Sequence, residues 1–367
     1  MLLIDNAMQV ALIAVPDCIA VLEKAFLGLA TGRSIIRPKT DLLFPATRPD
    51  GYFRFGSMEG AHDGICALRI ISEIAAWERR PDGTMREEQY CIAPGTYLGL
   101  VFLFSTDTGA PLAILNDGHI QHVRVGASAG LGAKYLARID AKTVGLIGAG
   151  GMTRTCLEAF CAVRPIERAK IYSPTAANRE VAAADLRARL GIDVVAVASA
   201  REAVAGVDIL ATCTNAMTPV FEADWLDPGT HVTCVGTQEI SRAAEARFDV
   251  KIRQGVATIA PARETARNRS DLGLSYAAYV GGTEAEMARL PAGGAHRLDT
   301  AAYPEFVDLA TERVPGRTRA DEITFYYNHG NQGLQFAAAG GLIYRNAKAR
   351  GIGTELPDAW FLEDIKA

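Results

Sequence analysis

The sequence predicts an α/β protein in which a parallel-sheet domain interrupts a second, discontinuous α+β domain. Three observations carry this. From residue 142 onward apolar strands alternate with amphipathic helices. A glycine-rich turn joins the first of those strands to the first helix. The stretch 52–115 has a different texture, short β-rich runs cut by Gly, Pro and Asp, and a further helix closes the chain after a Gly-rich turn near 330.

The elements follow in order. Residues 17–31 place Ile19, Leu22, Phe26 and Leu29 at three- and four-residue spacing, which predicts an amphipathic helix with Asp17 as its N-cap. YFRFGSM, ICALRIIS, LGLVFLF and PLAIL read as mostly antiparallel strands, with turns at 83–85 and 107–111. Residues 121–138 read as a helix rich in small residues, able to pack closely against a neighbour. KTVGLIGAG is a buried strand running into glycines, followed by the helix MTRTCLEAFCAV and the strand AKIYS. The helix ANREVAAADLRARL and the strands IDVVAVA, VDILATC and HVTCVG continue the alternation. PAGGA at 291–295 reads as a loop. ITFYYNHGNQGLQFAAAGGLIYRNAKARG gives a short strand, a Gly-rich turn and a helix ended by Gly351. The expected division is 1–125 plus 320–367 for one domain and 126–319 for the other.

Composition narrows the function. Of 367 residues, 42 are Asp or Glu and 38 Lys or Arg, a net charge of −4 that argues against a nucleic-acid or polybasic membrane binder. The longest apolar run, Leu98–Phe104, is far short of the ~20 residues of a membrane span. The first residues carry Asp5 and no basic stretch, so no signal peptide is expected. Seven scattered cysteines without a Cys-x-x-Cys pair read as free thiols in a reducing cytoplasm, and no His/Cys/Asp cluster has metal-ligand spacing. His119 and His122 alone make a weak pair.

The strand TVGLI, the turn Gly148-Ala149-Gly150-Gly151-Met152-Thr153 and the helix after it form a dinucleotide-binding pattern. Gly148 permits the tight turn, Gly150 lets the backbone approach a pyrophosphate, and Thr153 is small enough for close packing at the third position. An NAD binder usually ends the second strand with an acid for the ribose hydroxyls. Here the segment is Ile171-Tyr172-Ser173-Pro174-Thr175 and then Asn178-Arg179. Ser173, Thr175 and Arg179 suit a 2′-phosphate, which favours NADP while leaving NAD possible.

Taken in order, TGAPLAIL (108–115), Arg124 with the small-residue helix to AKYLAR (133–138), VGLIGAGGMTRTCLEAF (144–160), DILATCTNAMTPVF (208–221), DPGTHVTCVG (227–236) and GRTRADEITF (316–325) resemble the ornithine cyclodeaminase/mu-crystallin family over nearly the whole chain. The resemblance implies a Rossmann domain inserted into a substrate-binding domain whose strands pair across a homodimer. It also implies hydride transfer at the α-carbon of an amino acid or its imine. Carried over residue by residue, Arg37 and Arg124 are expected to hold the substrate carboxylate, with Met58 near the pocket. Thr212, Thr214, Asn215 and Gly236, with the glycine turn, are expected along the cofactor.

Three departures matter. Arg69 stands where the family has a lysine, and an arginine does not readily give up a proton. Gln238 stands where cyclodeaminases carry an aspartate, which leaves Lys39 or Glu239 as replacements for proton transfer. Tyr326-Tyr327-Asn328-His329-Gly330 replaces the usual nicotinamide-side loop. Asn328 is expected near the carboxamide, and His329 is either a proton donor or a packing residue. The segment 73–97 is longer than the family's and reads as a surface hairpin or as a lid.

The leading reading is an NAD(P)H-dependent reductase of α-imino acids, or equivalently an amino-acid dehydrogenase, with Arg37, Arg69 and Arg124 as the carboxylate clamp. The alternative within enzymes is a cyclodeaminase of a diamino acid, against which the missing aspartate counts. A dinucleotide-binding protein without turnover is the third, against which the retained arginines count.

Overall fold

The computed structural model describes residues 1–47, 51–79, 85–93, 95–255, 277–290 and 298–365; the expected loop at 291–295 and most of the turn at 83–85 lie outside them. In chain order the strands are β1 (Leu2–Ile4), β2 (Ser34–Pro45), β3 (Gly51–His62), β4 (Ile65–Arg79), β5 (Met85–Tyr90), β6 (Gly99–Ser105), β7 (Pro111–Asn116), β8 (Thr143–Ile147), β9 (Arg168–Tyr172), β10 (Asp193–Ala196), β11 (Ile209–Thr212), β12 (His231–Cys234), β13 (Val250–Arg253), β14 (Ala277–Val280), β15 (Thr324–Tyr327) and β16 (Thr354–Glu355).

They form two sheets. The first runs β14-β2-β3-β4-β6-β7-β1-β16, with β5 hydrogen-bonded to β4; its β2-β3-β4-β6-β7 centre is antiparallel, as the punctuated texture predicts. The second runs β10-β9-β8-β11-β12-β15-β13 and is parallel at every pairing. The segment 73–97 contains the hairpin formed by β4 and β5, Ile74 facing Tyr90.

Strand pairing departs from the expected division at two places. β15 lies between β12 and β13 in the parallel sheet, although its residues fall after 320. All four of its residues are buried, so an apolar strand next to the Gly-rich turn extends the parallel sheet before the chain leaves it. β14, although inside 126–319, pairs with β2 at the edge of the first sheet. β2 itself escapes pattern reading because a bulge between Arg37 and Thr40 breaks its alternation.

The first long helix, Val15–Ala30, is preceded by Ala14 and not by an Asp17 cap. Pro16 occupies its opening turn, where no amide is needed, and Asp17 sits in that turn near the positive end of the helix. The small-residue helix spans Gly118–Leu136 and meets the helix Gly151–Val163 along a ladder of close contacts. A Cβ on Gly151 would lie 2.6 Å from the His122 ring, one on Gly126 2.5 Å from the Thr155 carbonyl carbon, and one on Gly130 2.9 Å from Ala159. The contacts 122/151, 126/155 and 130/159 each advance four residues on both helices. The helices therefore run parallel and bring their N-termini to one end of the molecule. The last helix, Gln332–Arg350, starts from Asn331 at φ 53° and stops at Gly351 at φ 64°. It crosses the first sheet closely enough that a Cβ on Gly333 would lie 2.0 Å from the Glu59 carbonyl oxygen.

Candidate active site

The inward face of the first sheet is charged. On β2 the bulge turns Lys39, Asp41 and Leu43 inward while Arg37 faces out. On β3 and β4 the inward positions include Arg54 and Met58, and Arg69 and Glu73. Met58 pairs with Arg69 across the strands, and Arg54 with Glu73. These charges are neutralised pairwise. Lys39 Nζ lies 3.3 Å from Asp41 Oδ1. Arg54 Nε donates to Glu73 Oε1 at 2.7 Å. Arg69 donates to the buried Asp117 and to the Tyr97 hydroxyl. Burial, with Arg54 and Arg69 nearby, holds the Lys39 ammonium below the ordinary lysine range, and Asp41 only partly opposes this.

Arg124 is the exception. It is 7% exposed and contacts Gln121 Oε1 at 2.7 and 3.2 Å and Gln335 Oε1 at 3.2 Å. Among the described residues no carboxylate stands within ion-pair range of it. Burial, reinforced by the positive charge of Arg69, lowers its pKa to about 9. The guanidinium groups of Arg124 and Arg69 lie 5.0 and 5.7 Å from the centre of the Phe336 ring. Four inward cations thus face three carboxylates, and the surplus charge sits on Arg124. A buried guanidinium without a counter-ion is a site for a carboxylate.

The parallel helix packing places this site at the same end as the glycine turn. Gly148 has φ 116°, and a Cβ there would lie 2.4 Å from the Cys213 carbonyl oxygen, so only glycine fits. A Cβ on Gly150 would meet nothing within 4 Å. The 13-residue helix that follows has no acidic residue in its first turn. A bare turn, open space over Gly150 and an unopposed helix N-terminus fit a dinucleotide pyrophosphate. Thr153 is fully buried beneath the turn.

The remaining expected residues fall as follows. Arg37 is turned to the outer face and paired with Glu59, its side chain 70% exposed, because the bulge puts Lys39 and not Arg37 in the inward row. Arg69 is already neutralised by Asp117. Of the three arginines expected to form a clamp, only Arg124 is without a carboxylate partner among the described residues. Glu239 is fully buried and accepts from Thr212 Oγ1 (3.0 Å), Thr214 N (2.8 Å) and Thr214 Oγ1 (2.6 Å). Burial outweighs these bonds and raises its pKa to about 7. It braces the loop after β11, on which Asn215 is exposed. Gln238 folds over Gly236, where a Cβ would lie 2.4 Å from its amide. Asn328 donates to the Val125 carbonyl at 3.0 Å, tying the end of β15 to the Arg124 helix. His329 is buried, its ring stacked on Tyr327 at 5.4 Å and within hydrogen-bond reach of Gln332 Nε2 at 3.2 Å. Arg179 Nη1 donates to the Ser173 carbonyl at 2.9 Å, which holds the guanidinium at the end of β9; Thr175 precedes the next helix, and Met152 is in the first turn of the glycine-turn helix.

Sequence reading missed Asp117, Tyr97, Gln335 and Phe336. Asp117 had a signal, standing just before a helix, but its partner Arg69 is 48 residues away.

Residues 71–351 match the model of the ornithine cyclodeaminase/mu-crystallin family. The chain belongs to this family. Among its relatives is a Rhizobium meliloti protein with the general name of a dehydrogenase, 35% identical over 262 residues, which are 70% of this chain and 72% of that protein. Another is the Delta(1)-pyrroline-2-carboxylate reductase of Bacillus cereus, 37% identical over 154 residues, 42% of this chain and 47% of that one. The solved structure of Thermococcus litoralis Delta(1)-pyrroline-2-carboxylate reductase in complex with NADH and L-proline superposes with a TM-score of 0.74 at 27% identity, covering 97% of this chain and 100% of that one.

Proposed function

We propose that this family member is an NAD(P)H-dependent reductase of the C=N bond of an α-imino acid, running in reverse as an amino-acid dehydrogenase. The observation that carries it is the unneutralised, buried Arg124 at the same end of two packed helices as the glycine turn. Kinship to pyrroline-2-carboxylate reductases supports the imine as the reacting group.

Gly148, Gly150, Gly151 and the first amides of the helix Gly151–Val163 would hold the pyrophosphate, and the loop braced by Glu239 would line the nicotinamide side. When bound, the dinucleotide supplies a hydride to Cα. Arg124 holds the substrate carboxylate through its guanidinium fork and so fixes Cα in position. Lys39 shares the inward row with Met58 and Arg69, and burial with the two arginines lowers its pKa, so it gives up a proton more readily than an exposed lysine. It donates that proton to the imine nitrogen, giving the amine. Asp41 keeps Lys39 oriented. Arg69, locked to Asp117, walls the pocket. With no acid at the end of β9 and Arg179 held there, NADP is the preferred cofactor.

The outer face of β2, β3 and β14 exposes Ile35 (67%), Leu42, Phe44 (56%), Phe55 and Tyr279, an apolar surface of the kind a second copy of the chain would cover, so a homodimer is proposed.

The experiment is NADPH and NADH oxidation followed at 340 nm with Δ1-pyrroline-2-carboxylate, Δ1-piperideine-2-carboxylate, and pyruvate, glyoxylate or oxaloacetate plus ammonia or methylamine. Oxidation with an imine and NADPH preference are expected. Silence across the panel, with ammonia released from ornithine, refutes the reductase reading.

A further inference from the structure

His122 belongs to neither the carboxylate site nor the residues expected along the cofactor, yet it stands between them. It is exposed, two residues before Arg124. Its ring covers the α-carbon of Gly151, the first residue of the helix behind the glycine turn, where three ring atoms lie 2.6–2.9 Å from the position of a Cβ. The backbone is pinned there, since Thr155 Oγ1 donates to the His122 carbonyl at 2.7 Å. Gly126 and Gly130 let the helices approach closely enough to hold this register.

The charged groups facing the ring come from both helices. Arg124 and Asp117 belong to its own helix or the residue before it, and Arg154 to the partner helix; His119 lies within electrostatic range. Arg154 itself donates to the Ala149 and Gly150 carbonyls at 3.0 and 3.3 Å, so its guanidinium braces the same turn. Partial burial and the two arginines push the imidazole below its ordinary pKa, with Asp117 opposing. A pyrophosphate on the helix N-terminus would reverse the sign of the local field.

We propose that His122 is a further dinucleotide-binding residue, which takes up a proton as the pyrophosphate binds and then donates to it. This rests on the dinucleotide reading above and adds to it a pH-dependent affinity. Linkage fixes the direction: a group that gains a proton on binding makes affinity rise as pH falls.

The test uses the full-length protein with two probes, NADH and ADP-ribose, which keeps the pyrophosphate but lacks the nicotinamide and the titrating 2′-phosphate. Wild-type affinity for both should rise about fivefold or more from pH 8 to pH 6. His122→Gln should abolish that slope while staying within about twofold of wild type at pH 8, and His119→Gln should retain it. A slope that persists in His122→Gln, one that follows His119, or a flat wild-type profile overturns the proposal. If His122→Gln fails to fold, proton NMR of the six wild-type histidines decides. One imidazole must titrate higher with ADP-ribose bound, and none doing so overturns the proposal. Wild-type protein that binds neither probe nor NADPH overturns the dinucleotide reading itself, a different result from loss of the slope.

Discussion

Replacing Arg124 with methionine should stabilise the ligand-free protein while abolishing its activity. Burial first and then Arg69 push the pKa of the wild-type guanidinium from the ordinary arginine range down to about 9. A cation whose pKa is lower in the folded than in the unfolded chain makes folding less favourable wherever both forms are charged, which here is every pH below about 9. At 1.36 kcal/mol per unit the shift corresponds to about 5 kcal/mol as an upper bound. The bonds to Gln121 and Gln335 offset part of this, at about 1–1.5 kcal/mol each. Methionine matches the stem and leaves no charge, so a net gain of about 1–3 kcal/mol is expected. Urea unfolding at pH 7.5 measures it. A carboxylate ligand such as L-proline should protect wild type and not the variant, and kcat/KM should fall by about 10²–10³. A variant less stable than wild type, or one still protected by the ligand, would refute the assignment of Arg124 as an unneutralised carboxylate site.

The other predictions concern the residues around it. Glu239→Gln keeps its threonine partners and removes a carboxyl whose folded pKa of about 7 exceeds its unfolded value. Wild-type stability from this group is full below pH 4.5 and lost as pH rises through 7, so the variant should gain up to about 3 kcal/mol at pH 8 and almost nothing at pH 4.5, read by urea unfolding at both pH values. Lys39→Met should lower kcat by about 10²–10³ with a small change in KM, and equal loss in both parameters would exclude proton donation. Arg179→Ala should raise the KM for NADPH about tenfold and leave that for NADH nearly unchanged. Gly126→Val drives a side chain into the Thr155 backbone and should cost about 2–3 kcal/mol in thermal unfolding while loosening both cofactor and substrate binding.

The parallel sheet was legible at β8, β11 and β12, short apolar runs buried at nearly every position, and not at β13, whose VKIR carries two charges; the glycine turn was legible because backbone geometry at Gly148 admits no other residue. The Arg124 helix was legible as a close-packing element from its small residues, and the ladder 122/151, 126/155, 130/159 is what those residues serve. The first sheet was legible in its antiparallel centre and opaque at β2. There a bulge of one residue exchanges the outward Arg37 for the inward Lys39, and no periodicity count registers a bulge. Arg69 was read as part of a clamp because its type suits a carboxylate. That it is already satisfied depends on Asp117, which only the folded sheet brings to it.

The same pairing bears on the arginine at 69, where the family resemblance led to the expectation of a lysine. Arg69 unpaired would put a second permanent charge within the Arg124 environment, and burial of two adjacent guanidinium groups with no counter-ion costs more than most domains can spare. Asp117 removes that charge, and its place immediately before the Arg124 helix sets it on the edge of the same pocket. On the proposed reading, proton chemistry would pass to Lys39 on β2, whose pKa burial and the nearby arginines lower. The proposed reading would thus divide three tasks among three basic residues: Arg124 would hold the carboxylate, Lys39 would supply the proton, and Arg69 paired with Asp117 would form a neutral wall. Substituting Arg69 and Asp117 together by leucine and alanine should accordingly spare catalysis far better than substituting Asp117 alone, which would strand Arg69 as a second buried charge.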